Sequence, residues 1–169
     1  MWEGRFITAK RRGRWEYVSR ARNIGAAVIL AIDEAPEGRH VILVEQYRVP
    51  LGRSCMELPA GLIGDETAGE DPLEAATREL EEETGYRAAR LEKLGEYYSS
   101  PGMVSESFTL YRAHDIVKVG PGGGVEGEGI IVHRVLLAGF SDWIAARRDD
   151  GYAVDVKLLL LLGGAMLAG

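Results

Sequence analysis

Glu79, Glu82 and Glu83 are the residues of this sequence best placed to do chemistry. Their spacing is i, i+3, i+4, so in a helix turning about 100° per residue the three carboxylates share one face. Leu73, Ala76, Thr77 and Leu80 fall on the neighbouring face, which would pack on a sheet. Nine of the 26 acidic residues lie between Gly64 and Tyr86, where Arg78 is the only base. Carboxylates this close repel one another at neutral pH. Basic partners one turn away relieve such repulsion on a solvated face, and the pattern is read as lacking them. A divalent cation is the other form of relief: oxygen-only ligands suit Mg2+ or Mn2+, ions that accompany phosphate substrates. A solvated acidic helix face is the alternative reading of the same residues.

The sequence marks a helix to hold this face. Asp71 is placed as N-cap, Pro72 takes the first helical position, Glu74 stands where a capping box wants an acid, and Gly85 suits the C-terminal stop. Before it, strands are predicted over 2–9 and 14–20 around the basic turn 10–13, then over 24–32, 40–47 and 55–58, with turns at Pro36-x-Gly38 and Pro50-x-Gly52. After it come strands over 88–98, 107–113 and 130–136, and helices over 139–148 and 154–167. The glycine-rich stretch 120–129 reads as a flexible loop. The sum is a mixed α/β fold with strands on both sides of a central helix.

Composition excludes several classes. The 169 residues, 46% hydrophobic, suit one domain with a real core. A net charge of −6 argues against a primary role in binding nucleic acid or an anionic membrane. Cys55 is the only cysteine, and no motif surrounds it. No secretory signal is visible, and Leu158–Leu162 is too short to span a bilayer, so a soluble, cytoplasmic protein is expected. His40, His114 and His133 match no catalytic motif, and no nucleophile-elbow, Walker or CxxC pattern occurs.

The stretch Gly64-x5-Glu70-x7-Arg78-Glu79-Leu80-x-Glu82-Glu83-x-Gly85-Tyr86 resembles the signature box of the Nudix hydrolases, with eight matching positions across 23 residues. Tyr86 departs from it, since the family usually has an aliphatic residue there. The preceding Glu57-Leu58-Pro59-Ala60-Gly61 resembles the entry to the box in ADP-sugar pyrophosphatases, which makes Gly61 rather than Gly64 a candidate for the structural glycine. The resemblance implies a Nudix α/β/α sandwich over 23–169, with mixed sheets around the catalytic helix. Residues 1–22 would form an N-terminal β extension that serves as a dimer element.

By the same resemblance Glu79, Glu82 and Glu83 are metal carboxylates, the carbonyl of Ala60 is a backbone ligand, Arg78 holds the helix acids, and Glu70 orients Arg78. The general base is a loop glutamate, with Glu128 preferred over Glu126, and the glycines around them let the loop close over substrate. Val44-Glu45-Gln46-Tyr47-Arg48 and Ser99-Ser100-Pro101-Gly102-x-x-Ser105-Glu106 resemble the ADP-ribose/ADP-sugar branch, with Pro101 sixteen positions beyond Gly85. Substrate contacts are thereby implied at Arg48, Arg53, Glu57, Pro101, Gly102, Met103 and Glu106. Trp2, Trp15 and Tyr17 could stack an adenine or simply pack. The expected activity is Mg2+-dependent (or Mn2+-dependent) hydrolysis of ADP-ribose or a related nucleotide sugar to AMP and a sugar phosphate, by a homodimer. The alternatives are a GDP-mannose or other nucleoside-diphosphate-sugar hydrolase, and a non-catalytic nucleotide sensor.

Overall fold

The computed structural model describes residues 1–21, 24–64 and 71–168. Its elements run β1 (Trp2–Glu3), β2 (Ile7–Arg12), β3 (Trp15–Arg20), β4 (Gly25–Ala35), β5 (Gly38–Arg48), β6 (Arg53–Glu57), β7 (Ala60–Ile63), α1 (Pro72–Thr84), β8 (Tyr86–Tyr98), β9 (Ser107–Lys118), β10 (Ile131–Leu136), α2 (Phe140–Asp149), β11 (Ala153–Val154) and α3 (Leu159–Ala168).

Strand β4 organises the molecule. Its first half pairs antiparallel with β7 (Gly25↔Ile63 to Val28↔Ala60) and parallel with β9 (Ala26↔Phe108 to Ala31↔Ala113). Its second half pairs antiparallel with β5. Two mixed sheets therefore share this strand, in the order β11-β6-β5-β4-β9-β8, with β7 on β4 and β10 on β5.

Successive side chains of β4 point to opposite faces, and both faces are buried, which is why the stretch reads as a continuous apolar run. Ala27, Ile29 and Ala31 pack with Ile42, Ala113, Ala76 and Leu80 beneath α1. Val28 and Ile32 join Leu43, Met56, Phe140, Ile144 and Leu162 beneath α2 and α3. The result is the expected α/β/α layering. The alanines on the α1 side keep the helix close to the sheets.

Helix α1 starts as predicted: the Asp71 carboxylate accepts from Leu73 N at 2.7 Å, and Gly85 ends the helix at φ 68. Its buried row differs. Leu73 and Thr77 are exposed, whereas Ala76, Leu80, Glu83 and Thr84 are buried. The helix is thus rotated so that one of its glutamates faces inward. The C-terminal helix is shorter than expected, because Ala153–Val154 adds a parallel strand to β6 and the Asp155 carboxylate caps a short turn by accepting from Lys157 N at 2.8 Å.

Strands β1–β3 form a separate sheet. It is tied to the segment before β9: Val18 N donates to Met103 O at 2.9 Å, Ser105 N donates to Val18 O at 3.0 Å, and Arg20 pairs with Glu106. Among the described residues no helix is long and apolar enough to cross a membrane.

Candidate active site

The inward rotation of α1 delivers its acidic face to a cavity of about 380 Å³. Glu79 and Glu83 reach it from α1, Ala60 and Gly61 from β7, Arg48 from β5, Glu57 from β6, Arg20 from β3 and Phe108 from β9. Glu106, Ser99, Gln46, Glu128 and Lys157 also line it.

Glu83 is the buried acid of α1, 7% exposed, and its Oε2 accepts from Ala60 N at 2.9 Å. Burial pushes its pKa up to about 8, with the nearby Glu79 and Glu128 carboxylates adding to the rise against the Ala60 hydrogen bond and the Arg48 charge. Beside it, the Glu79 carboxylate lies over Gly61, where a Cβ would collide with it. Gly61 is thereby explained as a site of close approach. Gly64 has a different reason, a φ of 82 at the end of β7.

The acidic face is less bare than its pattern suggests. Arg78 Nη1 bonds Glu79 Oε1 and Glu82 Oε2, both at 3.0 Å, the second across one helical turn. Arg87, four residues after Glu83 but already in β8, grips Glu81 instead, at 2.7 and 2.8 Å. With Arg78 standing between the carboxylates, no three acidic, imidazole or thiol side chains among the described residues converge to cation-ligating distance. Glu82 lies outside the cavity lining and is half-exposed.

The opposite charge is supplied by Arg48, Arg20 and Lys157, and each is already engaged. Arg48 makes a bidentate pair with Glu57, Nε–Oε1 2.5 Å and Nη2–Oε2 2.9 Å. Arg20 pairs with Glu106. Lys157 donates to Asp155 Oδ2 at 2.7 Å and lies 5.6 Å from the Phe108 ring centroid.

The glycine-rich stretch is not a free loop. Gly123 N donates to Glu83 O at 2.8 Å and Gly124 N to Glu82 O at 3.0 Å. Beyond these anchors, Glu128 turns its carboxylate back to accept from Val125 N at 2.9 Å, and its carbonyl accepts from Gln46 Nε2 at 3.2 Å. Glu128 lines the cavity, while Glu126 is exposed and does not.

The cavity gathers Arg48, Glu57, Ala60, Glu79, Glu83, Glu106 and Glu128 from the expected residues. Arg53, Pro101, Gly102 and Met103 are not on its wall. Residues 100–104 form a turn, in which Met103 N and Val104 N donate to Ser100 O, and Met103 supports β3 through its carbonyl. Trp2 and Tyr17 border a different hollow beside Met103. His114 and His133 pair with Glu92 and Glu45, and His40 with its own turn. Cys55 is buried, and desolvation pushes its thiol up to about 12, so it is inert. Glu70 lies outside the described residues. Arg20, Phe108 and Lys157 carried no sequence signal, since their approach depends on tertiary contacts, and Gln46 and Ser99 fell within the stretches 44–48 and 99–106 without being assigned a contact; Arg20 and Glu106 are 86 positions apart.

The family model described as NUDIX domain matches residues 22–128. An ADP-ribose pyrophosphatase of Bacillus subtilis is 42% identical over 92 residues, 54% of this chain and 46% of that one. A GDP-mannose pyrophosphatase of Cronobacter sakazakii is 38% identical over 157 residues, 88% of this chain and 76% of that one. The match thus spans about half the length of relatives such as the B. subtilis protein. The crystal structure of an ADP compounds hydrolase superposes with a TM-score of 0.65 at 24% identity, covering 96% of this chain and 92% of that one, which gives the same fold.

Proposed function

The chain belongs to the Nudix family, and on that premise we propose that it hydrolyses the diphosphate of ADP-ribose or a related ADP-sugar to AMP and a sugar phosphate. The observation that carries this reading is one cavity holding Glu79, Glu83 and Glu128 together with Arg20, Arg48 and Lys157.

The donors fit a hard divalent cation, because a buried carboxylate beside two others is costly to ionise and a cation removes that cost. Glu79, Glu82, Glu83 and the carbonyl of Ala60 would hold Mg2+ or Mn2+, with Arg78 yielding its grip on Glu79 and Glu82. Bound there, the cation supplies charge neutralisation at the diphosphate and a water of lowered pKa. The chain's own residues do the rest. Arg48, Arg20 and Lys157 hold phosphate oxygens, and the Arg48–Glu57 pair fixes the guanidinium plane. Glu128 takes the proton of the attacking water. That water's oxygen bonds to one phosphorus as the bridging P–O bond breaks, and the leaving phosphate departs with the bridging oxygen.

The longer alignment with the C. sakazakii protein favours a second reading, in which GDP-mannose is the substrate. Homodimerisation through β1–β3 belongs to the same proposal, since Trp2, Phe6 and Trp15 are each at least 58% exposed there. A panel of ADP-ribose, ADP-glucose, GDP-mannose, diadenosine polyphosphates and NADH with Mg2+ tests the activity. Preference for ADP-ribose is expected. Preference for GDP-mannose would keep the site chemistry and replace the substrate; ligand binding without turnover would overturn the enzyme reading.

A further inference from the structure

Helix α1 ends with carbonyls that lack intrahelical partners, and the structure accounts for four of them. Glu81 O accepts from Gly85 N at 2.8 Å, Glu82 O from Gly124 N at 3.0 Å and Glu83 O from Gly123 N at 2.8 Å. Thr84 O accepts from Lys118 Nζ at 2.7 Å. Segment 118–124 therefore supplies three of the four, and two belong to residues whose carboxylates form the acidic face. The same ammonium reaches Pro121 O at 3.2 Å, so it bridges helix and loop.

Two glycines permit this approach. Gly122 lies against the backbone of Thr84 and Gly85, Gly85 against that of Gly120 and Gly122, and both have positive φ (71 and 68). Lys118 is held in place from another side, because its Nζ sits 4.7 Å from the centroid of the Tyr86 ring. This gives a physical reason for an aromatic residue where the resemblance leads one to expect an aliphatic one.

We propose that the Lys118–Tyr86 pair is a clamp that fixes the Gly120–Gly124 segment to the end of α1 and thereby positions Glu128 against the helix carboxylates. Lys118 is a positioning residue. The inference rests on the reading of Glu128 as the base. The segment leaves its anchors at Gly124 and returns to the cavity within four residues, so slack at the helix end is passed directly to the Glu128 carboxylate.

The test is a double-mutant cycle, measured as turnover of ADP-ribose with Mg2+. Lys118→Met is expected to lower kcat about tenfold to a hundredfold, as misplacement of a catalytic group by about 1 Å does, with KM changed less than about threefold. Lys118→Arg should recover most of the loss. In a Glu128→Gln background, adding Lys118→Met should cost nothing more. Amide exchange at Gly123 and Gly124 should quicken in Lys118→Met. Multiplicative losses, or wild-type kcat in Lys118→Met beside a slow Glu128→Gln, would overturn the clamp. Wild-type kcat in Glu128→Gln would instead overturn the base assignment on which it rests. If Lys118→Met does not fold, Tyr86→Leu carries the same cycle, since it removes the ring face and keeps an apolar residue at the position.

Discussion

Replacing Glu83 with glutamine should stabilise the metal-free protein while abolishing its turnover. Glu83 is 7% exposed and its carboxyl is pushed up to about 8 from an ordinary 4.5, first by burial and then by Glu79 and Glu128. A folded-state pKa above the unfolded value means that the native state binds this proton more tightly. Stability from this group is therefore complete below pH 4.5 and is lost as pH rises through about 8. At about 1.4 kcal/mol per pH unit the interval sets a ceiling of about 5 kcal/mol. A domain of this size shifts its Tm by about 2–4 °C per kcal/mol, so a gain on the order of 10 °C is expected. Glutamine has no charge to bury, and its Oε1 can still accept from Ala60 N. Thermal unfolding in chelator should show the two proteins melting together near pH 4, with the variant higher at pH 8 to 9. Mg2+ should raise the wild type at pH 8 and leave the variant unmoved. A difference in Tm that is absent, or equal at both pH values, would refute the reasoning.

Other perturbations give sharp outcomes. Glu128→Gln should slow turnover by about 10²–10⁴, the usual contribution of a positioned general base, and Glu126→Gln should change it little; equal losses in a steady-state assay would leave Glu128 with no special part. Gly61→Ala places a methyl in the Glu79 carboxylate, so Mg2+ affinity measured by calorimetry should fall while Gly52→Ala, which meets open space, leaves it unchanged. Light scattering should report a dimer that dissociates when Trp2 and Trp15 are both replaced by alanine; a monomeric wild type would remove the N-terminal sheet from the interface.

Local signals in the sequence were reliable where one element decides the outcome. Asp71, Pro72 and Gly85 bound α1 as capping chemistry requires, and the apolar run of β4 is a strand buried on both faces. Helical spacing put Glu79, Glu82 and Glu83 on one side, yet it could not say which of them turns inward, because that depends on how the helix rolls on its sheets. Glu83 is the one that is buried, and Leu73 is left outside. The loop 120–129 shows the opposite failure. Glycine density reads as flexibility, but here glycine serves close approach, and the carbonyls that pin Gly123 and Gly124 lie 40 and 42 positions earlier at Glu83 and Glu82. Arg20 and Lys157 were invisible for the same reason, since nothing nearby in the chain points to the cavity they share with α1.

The charges of the cavity make a last prediction about the order of binding. Arg48 is held by Glu57, Arg20 by Glu106 and Lys157 by Asp155. A diphosphate entering without metal would have to compete with three carboxylates for three cations, and it would face Glu79, Glu83 and Glu128 as well. Among the described residues Glu83 and Glu128 hold backbone amides and no cation, so above about pH 8, where Glu83 gives up its proton, the net field at that end is repulsive to an anion. Substrate affinity should therefore be coupled to the divalent cation, each tightening the other by the same factor because linkage is reciprocal. Titrating the non-cleaved product AMP, or ADP-ribose with Glu128→Gln to suppress turnover, should give no measurable heat in chelator and clear binding with Mg2+. Equal affinity in both conditions would mean that the three basic residues release their partners unaided, and that the acidic end of the cavity lies too far from the diphosphate to repel it.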